Sequence, residues 1–252
     1  MIADSVERFS ARVSHYVRFR PGYPAAVADL LRRECAPEPD ALIADIGSGT
    51  GFLGRTLLDG GFRVLGVEPN GEMRAAGDEI LRGYAGFKSV NGTAEATTLE
   101  AASCDLAVAG QAFHWFDVER TRSEWRRILK PGRFGALIWN ERSRRTDVMR
   151  EIEEVIDRFA TDHDRSIREG GRGRIAGFFS PAAVNAAEFP NYQDFDFEGL
   201  KGRVHSCSYI PHEDDPRSEP MVEDLRRVFE KYERGGTIRF EYRTEVYWGK
   251  LT

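Results

Sequence analysis

The chain has 252 residues, of which 41% are hydrophobic and 31% are charged, and its formal net charge is −5 at pH 7. These values suit one α/β domain with insertions, and they exclude a disordered chain, a collagen and a coiled coil. No run approaches the roughly 18 apolar residues of a membrane-spanning helix, and the N-terminus lacks the layout of a signal peptide. We therefore expect a soluble, cytoplasmic protein without a membrane partner.

Short β-rich runs alternate with helical patterns along the chain, which is typical of a parallel sheet with helices on both faces. The helical patterns cover residues 118–129, 148–159 and 221–232, and Asp117 and Pro131 bound the first of them. A last strand over residues 238–248 alternates strongly and is predicted to be antiparallel. The predicted parallel strands are residues 41–47, 62–68, 87–90, 105–110 and 133–140.

Two regions fall outside this alternation. Residues 1–40 contain the run HYVRFRPGYP, and residues 161–215 are polar and rich in glycine, proline and aromatic residues. We interpret both as additions at the carboxyl ends of the strands, where open α/β sheets bind ligands. The prediction is one structural domain in three parts: an N-terminal helical lid (1–40), a cofactor-binding core (41–145) and a segment that completes the sheet and carries an acceptor-side lid (146–252).

The glycine-rich segment DIGSGTG, residues 45–51, joins the first predicted strand to a helical pattern. Glycines there permit a tight turn and let backbone amides approach a ligand. Glu68 ends the next predicted strand, 21 residues after Gly47. A carboxylate in that position accepts hydrogen bonds from the ribose hydroxyls of an adenosine cofactor.

The choice of cofactor depends on two positions. The dinucleotide fingerprint needs glycine or alanine at position 52, where this chain has Phe52. Asp45, two residues before the first glycine, disfavours a negatively charged pyrophosphate but tolerates an ammonium and a sulfonium group. The pattern therefore favours S-adenosyl-L-methionine (SAM) over NAD, with no metal cofactor.

Five motifs, DIGSGTG, VEPNGEM, NGTAEAT, AGQAFHWFD and ILKPGRFGALIW, closely resemble those of the class I SAM-dependent methyltransferases. The resemblance covers about residues 14–142 and is strongest to the methyltransferase type 11 domain family, in general pattern near trans-aconitate methyltransferase. It implies an α/β, doubly wound, Rossmann-like fold with a seven-stranded, mostly parallel sheet. It also implies methyl transfer to a small-molecule acceptor by in-line displacement.

The same resemblance assigns roles to residues along the predicted cleft. The methionine part of SAM is expected at the glycine loop, the ribose at Glu68, the adenine at Met73 and the turn 92–95, and the transferred methyl group near Gln111. Many relatives have aspartate where this chain has Thr93. The expected cofactor-binding residues are Asp45, Gly47, Ser48, Gly49, Glu68, Pro69, Met73, Thr93, Ala94, Glu95 and Gln111.

Three residues are candidates for the acceptor side. His114 follows the fourth strand and has a pKa range suited to a general base, although a structural histidine is the alternative. Tyr16 and Arg20 belong to the aromatic and basic N-terminal run, together with Tyr23. Arg20 can pair with an acceptor carboxylate, or the run can simply pack on the rim of the sheet.

Net charge and cysteine content limit the kinds of partner that we expect for this chain. A net charge of −5 gives no basic field for nucleic acid, and three widely spaced cysteines predict reduced thiols without zinc-finger spacing. We expect a monomer or homodimer that acts on a small molecule. The alternatives are a methyltransferase that modifies RNA or protein, and a SAM-binding protein without transfer activity.

Overall fold

The computed structural model describes residues 18–160, 174–207 and 209–251. Its helices are α1 (Ala25–Glu34), α2 (Phe52–Asp59), α3 (Gly71–Ile80), α4 (Val118–Ile128), α5 (Asp147–Phe159), α6 (Ile175–Phe179), α7 (Phe197–His205) and α8 (Ser218–Tyr232). Its strands are β1 (Leu42–Ile46), β2 (Arg63–Val67), β3 (Phe87–Val90), β4 (Cys104–Gly110), β5 (Leu129–Arg142), β6 (Asn185–Phe195) and β7 (Ile238–Lys250).

The strands form one seven-stranded sheet in the order β3-β2-β1-β4-β5-β7-β6. The first five pair in parallel, whereas β7 is antiparallel to both β5 and β6. β1 and β4 are buried almost end to end, as strands covered on both faces should be. The predicted doubly wound, mostly parallel sheet with an antiparallel final strand is confirmed.

Each face of the sheet has its own apolar core. On one face, α1 and α2 cover β1 and β4 with side chains such as Leu31 and Leu57. On the other face, Trp125 of α4 and Phe178 of α6 pack against the same strands. A third cluster joins α5, α7 and α8 to the ends of β6 and β7, with Phe240 fully buried among them. These ends of β6 and β7 therefore have their own helical cover.

Two predicted boundaries are wrong. β6 lies inside residues 161–215, where the sequence predicted no clear strand, because its alternation is polar and Pro190 interrupts it. Proline is tolerated there because β6 is the edge of the sheet and pairs only with β7. Leu129, which was assigned to the helical face of residues 118–129, is the first residue of β5, since α4 ends at Ile128.

The described part of the N-terminal region, residues 18–40, contacts a sheet face and both rims. α1 packs on the sheet face through the fully buried Val27 and Leu31, because its apolar stripe needs cover. After α1, Glu38 pairs with Arg133 at 2.6 Å on the amino side of the sheet. Residues 18–24 lie at the opposite rim, where the Gly22 carbonyl accepts hydrogen bonds from the Asn140 and Asn191 side chains at 3.1 and 2.8 Å.

Within the described ranges, no helix combines the length and the apolar character that crossing a bilayer requires.

Candidate functional site

The glycine loop after β1 adopts a backbone that only glycine takes easily. Gly47, Gly49 and Gly51 have φ values of +69°, +56° and +86°. The amides of Gly47 and Ser48 donate to the Val67 carbonyl at 2.8 and 3.1 Å, which fixes the loop on β2. These two hydrogen bonds therefore fix the loop at the carboxyl ends of β1 and β2.

Replacement of Gly47 by alanine should destabilise the protein and weaken ligand binding at the loop. A Cβ at Gly47 would lie 2.7 Å from the Cβ of Ala112 and in the left-handed region. Left-handed strain costs about 1–2 kcal/mol, and overpacking adds about 1–3 kcal/mol. Chemical unfolding measures the loss. Gly83→Ala is the control, because nothing lies within 4 Å of a Cβ there; equal effects of the two variants would contradict the geometry.

The Glu68 carboxylate connects the glycine loop to the start of α3. Its Oε2 accepts the Gly49 amide at 3.0 Å, and its Oε1 accepts the Asn70 amide at 2.9 Å. The side chain is buried, and this burial raises the pKa of Glu68 although both amides oppose the rise. Each carboxylate oxygen keeps a further lone pair, so the group can still accept ribose hydroxyls. The structural role of Glu68 was not apparent from the sequence.

Asp45 lies beneath the loop, at the end of β1. It is 1% exposed, and neither carboxylate oxygen makes a hydrogen bond to a described residue. Burial, and then the charge of Glu68, raise the pKa of Asp45 to about 7. The Gly54 amide of α2 opposes the rise without completing a hydrogen bond of normal geometry. A buried acid without a partner is costly, so the site suits a ligand that brings a cation or a donor.

The start of α3 places Met73 against the glycine loop. Asn70 caps this helix by accepting the amides of Glu72 and Met73 at 2.9 and 3.1 Å. The Met73 methyl group lies 3.5 Å from the Cβ position of Gly49. Arg74 donates to the Glu68 and Pro69 carbonyls at 2.8 and 3.4 Å, which fixes the connection between β2 and α3.

The turn after β3 contacts the segment that follows β4. Thr93 and Ala96 form an isolated bridge, and Ala94 is 5% exposed between them. Glu95 accepts the Asp117 amide at 3.0 Å, so its carboxylate holds the start of α4. The Glu95 side chain is thus already engaged, and the backbone of Ala94 is the better candidate to meet an adenine edge.

Gln111 follows β4 with a φ of +56°, a strained value for a residue other than glycine. Its amide donates to Ile138 at 2.9 Å, and its side chain donates to the Asn140 carbonyl at the same distance. Strain of this kind concentrates at functional sites. The observation is consistent with the place that the sequence gives Gln111.

The acceptor-side candidates fall at two separate places. His114 sits in a short 3₁₀ helix, Phe113–Trp115, with its ring 4.9 Å from that of Trp115. Arg20 donates from Nη2 to the Ser206 carbonyl at 2.7 Å, so it binds the end of α7. Tyr23 projects its hydroxyl over Gly110, 2.6 Å from the Cβ position of that residue. Tyr16 lies outside the described residues.

The sequence interpretation missed the residues that anchor this rim. Asn140 accepts Thr244 at 2.6 Å and Asn191 at 3.1 Å through Oδ1, while its amide nitrogen donates to Gly22. These partners come from β6, β7 and the N-terminal segment, and they meet on Asn140 of β5. An asparagine inside an otherwise apolar strand, IWN at residues 138–140, is the one signal that the sequence offered.

Comparison with known proteins identifies the domain. Residues 44–137 match the family model of a methyltransferase domain. An uncharacterized methyltransferase of Mycobacterium tuberculosis is 35% identical over 150 residues, which is 60% of this chain and 59% of that protein. Another from Schizosaccharomyces pombe is 29% identical over 253 residues, 95% of each chain. The chain thus matches less than two thirds of the length of the mycobacterial relative.

Solved structures agree with the fold. The structure of a type II methyltransferase from Anaeromyxobacter dehalogenans superimposes with a TM-score of 0.74 and covers 92% of this chain and 98% of its own. Its sequence is 22% identical, so the likeness concerns the fold.

Proposed function

Because residues 44–137 match a methyltransferase domain, we propose that the chain transfers a methyl group from SAM to a small-molecule acceptor. The single observation that carries this proposal is the pair of buried carboxylates at the glycine loop. Asp45 has no hydrogen-bond partner among the described residues, and Glu68 lies beside it. Two acidic groups fit a ligand with an ammonium and ribose hydroxyls, and they repel a pyrophosphate.

The residues present fit SAM by the chemistry of their donors and acceptors. In this proposal Asp45 and the backbone of Gly47, Ser48 and Gly49 bind the methionine part. Glu68 binds the ribose, and the adjacent Pro69 belongs to the same part of the cofactor site. Met73 packs beside the adenine, and the turn at Thr93, Ala94 and Glu95 borders its edge. The bound cofactor supplies a methyl group on a sulfonium, which is an electrophile that needs no covalent help from the protein.

The chain contributes mainly position and the exclusion of water. An acceptor held about 3–3.5 Å from the reacting carbon gains up to roughly 7–11 kcal/mol from positioning alone. Gln111, held rigidly by Ile138 and Asn140, borders this space. Tyr23 and the segment 18–22 cover the rim beside it, and His114 is the proposed base for an acceptor that must lose a proton.

Calorimetry with SAM, with its demethylated product and with NAD tests the cofactor. We expect SAM and the demethylated product to bind and NAD not to bind, because Phe52 replaces the third dinucleotide glycine and Asp45 disfavours a pyrophosphate. Equal or tighter binding of NAD would overturn the assignment. Incubation with methyl-labelled SAM and a pool of metabolites then tests transfer. Binding without a labelled product would leave a SAM-binding protein instead of an enzyme.

A further inference from the structure

Arg203, on α7, is a buried cation without an acidic partner among the described residues. It is 3% exposed. Its Nε donates to the Tyr242 hydroxyl at 2.6 Å, and its Nη1 donates to Ser206 Oγ and Cys207 Sγ, each at 3.3 Å. None of the three partners is a carboxylate, and no hydrogen bond joins Nη2 to a described residue. Burial of an ion without a counter-ion is strongly unfavourable, so such a residue calls for a functional explanation.

Neighbouring residues do not neutralise Arg203. Burial raises the pKa of Tyr242, although Arg203 lowers it in part, so the phenol is neutral near pH 7. A buried carboxylate beyond Arg142, Glu153, already binds the Nε and Nη2 of Arg142. Arg144 shares the same carboxylate at 3.3 Å. Among the described residues, Arg203 therefore has no ion pair with a carboxylate.

Strand register relates Arg203, through Tyr242, to the rim that contains Asn140. Tyr242 pairs with Arg142 across β5 and β7, two residues beyond the pair of Asn140 with Thr244. Asn140 in turn accepts the Gln111 side chain. Two residues along a strand span about 7 Å, so the strand positions that contact Arg203 and Gln111 are separated by about the length of a small molecule.

The described N-terminal segment packs on α7 beside Arg203. The Phe19 ring lies directly on Gly202, where a Cβ would not fit, so that glycine lets the segment approach α7 closely. Arg20 then donates to Ser206, and Gln193 donates to the Arg20 carbonyl at 3.5 Å. The cover keeps water from the guanidinium, which strengthens its attraction for an anion.

We propose that Arg203 is the specificity-determining residue of the acceptor site and that the acceptor carries a carboxylate, which pairs with the unused Nη2 edge of the guanidinium. Guanidinium and carboxylate groups have complementary planar geometry, and a carboxylate brings the negative charge that the described partners of Arg203 lack. The inference rests on the proposed methyltransferase function and specifies its substrate class. It transfers the role that the sequence suggested for Arg20 to a residue on α7.

The first test is carboxylate binding in the presence of the demethylated cofactor product, measured by calorimetry with succinate and benzoate and with their neutral amides. We expect at least one acid to bind at least tenfold more tightly than its amide. Arg203→Met, which keeps the aliphatic bulk, should lower that affinity at least tenfold and leave binding of the cofactor product unchanged. Arg203→Lys should recover part of the affinity, because it restores the charge without the planar edge.

Controls separate this role from a structural one. Arg239→Met removes an exposed guanidinium that pairs with Asp194 at 2.9 Å, and it should not change carboxylate binding. If Arg203 only links α7 to β7, Arg203→Met will bind the acids as the wild type does, and the proposal fails. It also fails if amides bind as well as acids, or if neither acid binds the wild-type protein.

The second test divides the metabolite pool by ion exchange before incubation with labelled SAM. Label in the anionic fraction supports the proposal, and label confined to the neutral or cationic fractions overturns it while leaving the methyltransferase function intact. If no fraction is labelled, the proposed transfer function fails, and the carboxylate titration still decides whether Arg203 binds an acid.

Discussion

Asp45→Asn should stabilise the ligand-free protein above neutral pH and weaken its binding of SAM. The carboxylate is 1% exposed, and its pKa is raised from 3.8 to about 7 by burial and by Glu68. At 1.36 kcal/mol for each pKa unit, the charged form costs on the order of 4 kcal/mol. Asparagine has the same shape and no charge, so the variant avoids this cost.

The pH dependence follows from the sign of the shift. Below about pH 4, Asp45 is protonated in both the folded and the unfolded chain, and it makes no difference to stability. Between pH 4 and about 7 the unfolded chain ionises first, so the wild type loses stability as the pH rises. The stability advantage of Asp45→Asn should therefore grow over this interval and then level off. Urea unfolding at pH 5, 6, 7 and 8 measures it.

Asp105→Asn is the matched control with the opposite sign. Burial alone would raise the pKa of Asp105, but hydrogen bonds from Lys130 and from the Leu42 amide outweigh burial and lower the pKa. Asp105→Asn should therefore destabilise the protein at pH 7. If Asp45→Asn were no more stable than the wild type at pH 8, the acid would have a partner that removes its cost.

The effect of Asp45→Asn on the ligand should oppose its effect on stability. A cationic cofactor favours the ionised form of Asp45, so wild-type affinity for SAM should increase as the pH rises through about 7. The variant should bind more weakly, with little dependence on pH. Unchanged affinity would show that Asp45 does not bind SAM. Its burial would then lower the stability of the protein without a role in binding. The expected combination is a residue that lowers stability in exchange for binding.

Local patterns predicted the core of the fold well. The glycine loop and the apolar strands around it depend on backbone conformation and on burial on both faces, and both leave a strong mark in the sequence. The edge strand β6 leaves only a weak pattern in the sequence, because it pairs only with β7 and one of its faces is exposed to solvent. Pro190 within β6 made it look like a loop.

Contacts between distant segments explain what the sequence could not predict at the site. Glu68 was expected to bind ribose, but its bond to the Gly49 amide depends on how the loop folds over β2. The sequence alone does not distinguish an acceptor-lining Arg203 from an ordinary residue on a helix surface, because its burial depends on how α7 packs against Tyr242 of β7. Such residues are polar in the sequence and buried in the fold, and no local period distinguishes them from solvent-exposed neighbours.

Glu68→Ala should reduce both cofactor affinity and stability, because the carboxylate serves the loop as well as the ligand. Loss of charge-assisted bonds to ribose, about 1.5–3 kcal/mol each at best, should lower SAM affinity at least about tenfold. The Gly49 and Asn70 amides also lose their acceptor, at about 1–3 kcal/mol for each one left unsatisfied. Relief of the charge beside Asp45 offsets part of this loss.

The controls for Glu68 distinguish the two roles. Glu72→Ala removes an exposed acid from the first turn of α3 and should change neither affinity nor stability appreciably. Glu68→Gln keeps one acceptor oxygen, so it should recover more stability than affinity, because its amide group cannot accept both ribose hydroxyls and both backbone amides. Calorimetry and urea unfolding on the same samples separate the effects. A folded Glu68→Ala protein with unchanged SAM affinity would show that this carboxylate only holds the loop, and that the ribose binds elsewhere along the carboxyl ends of the strands.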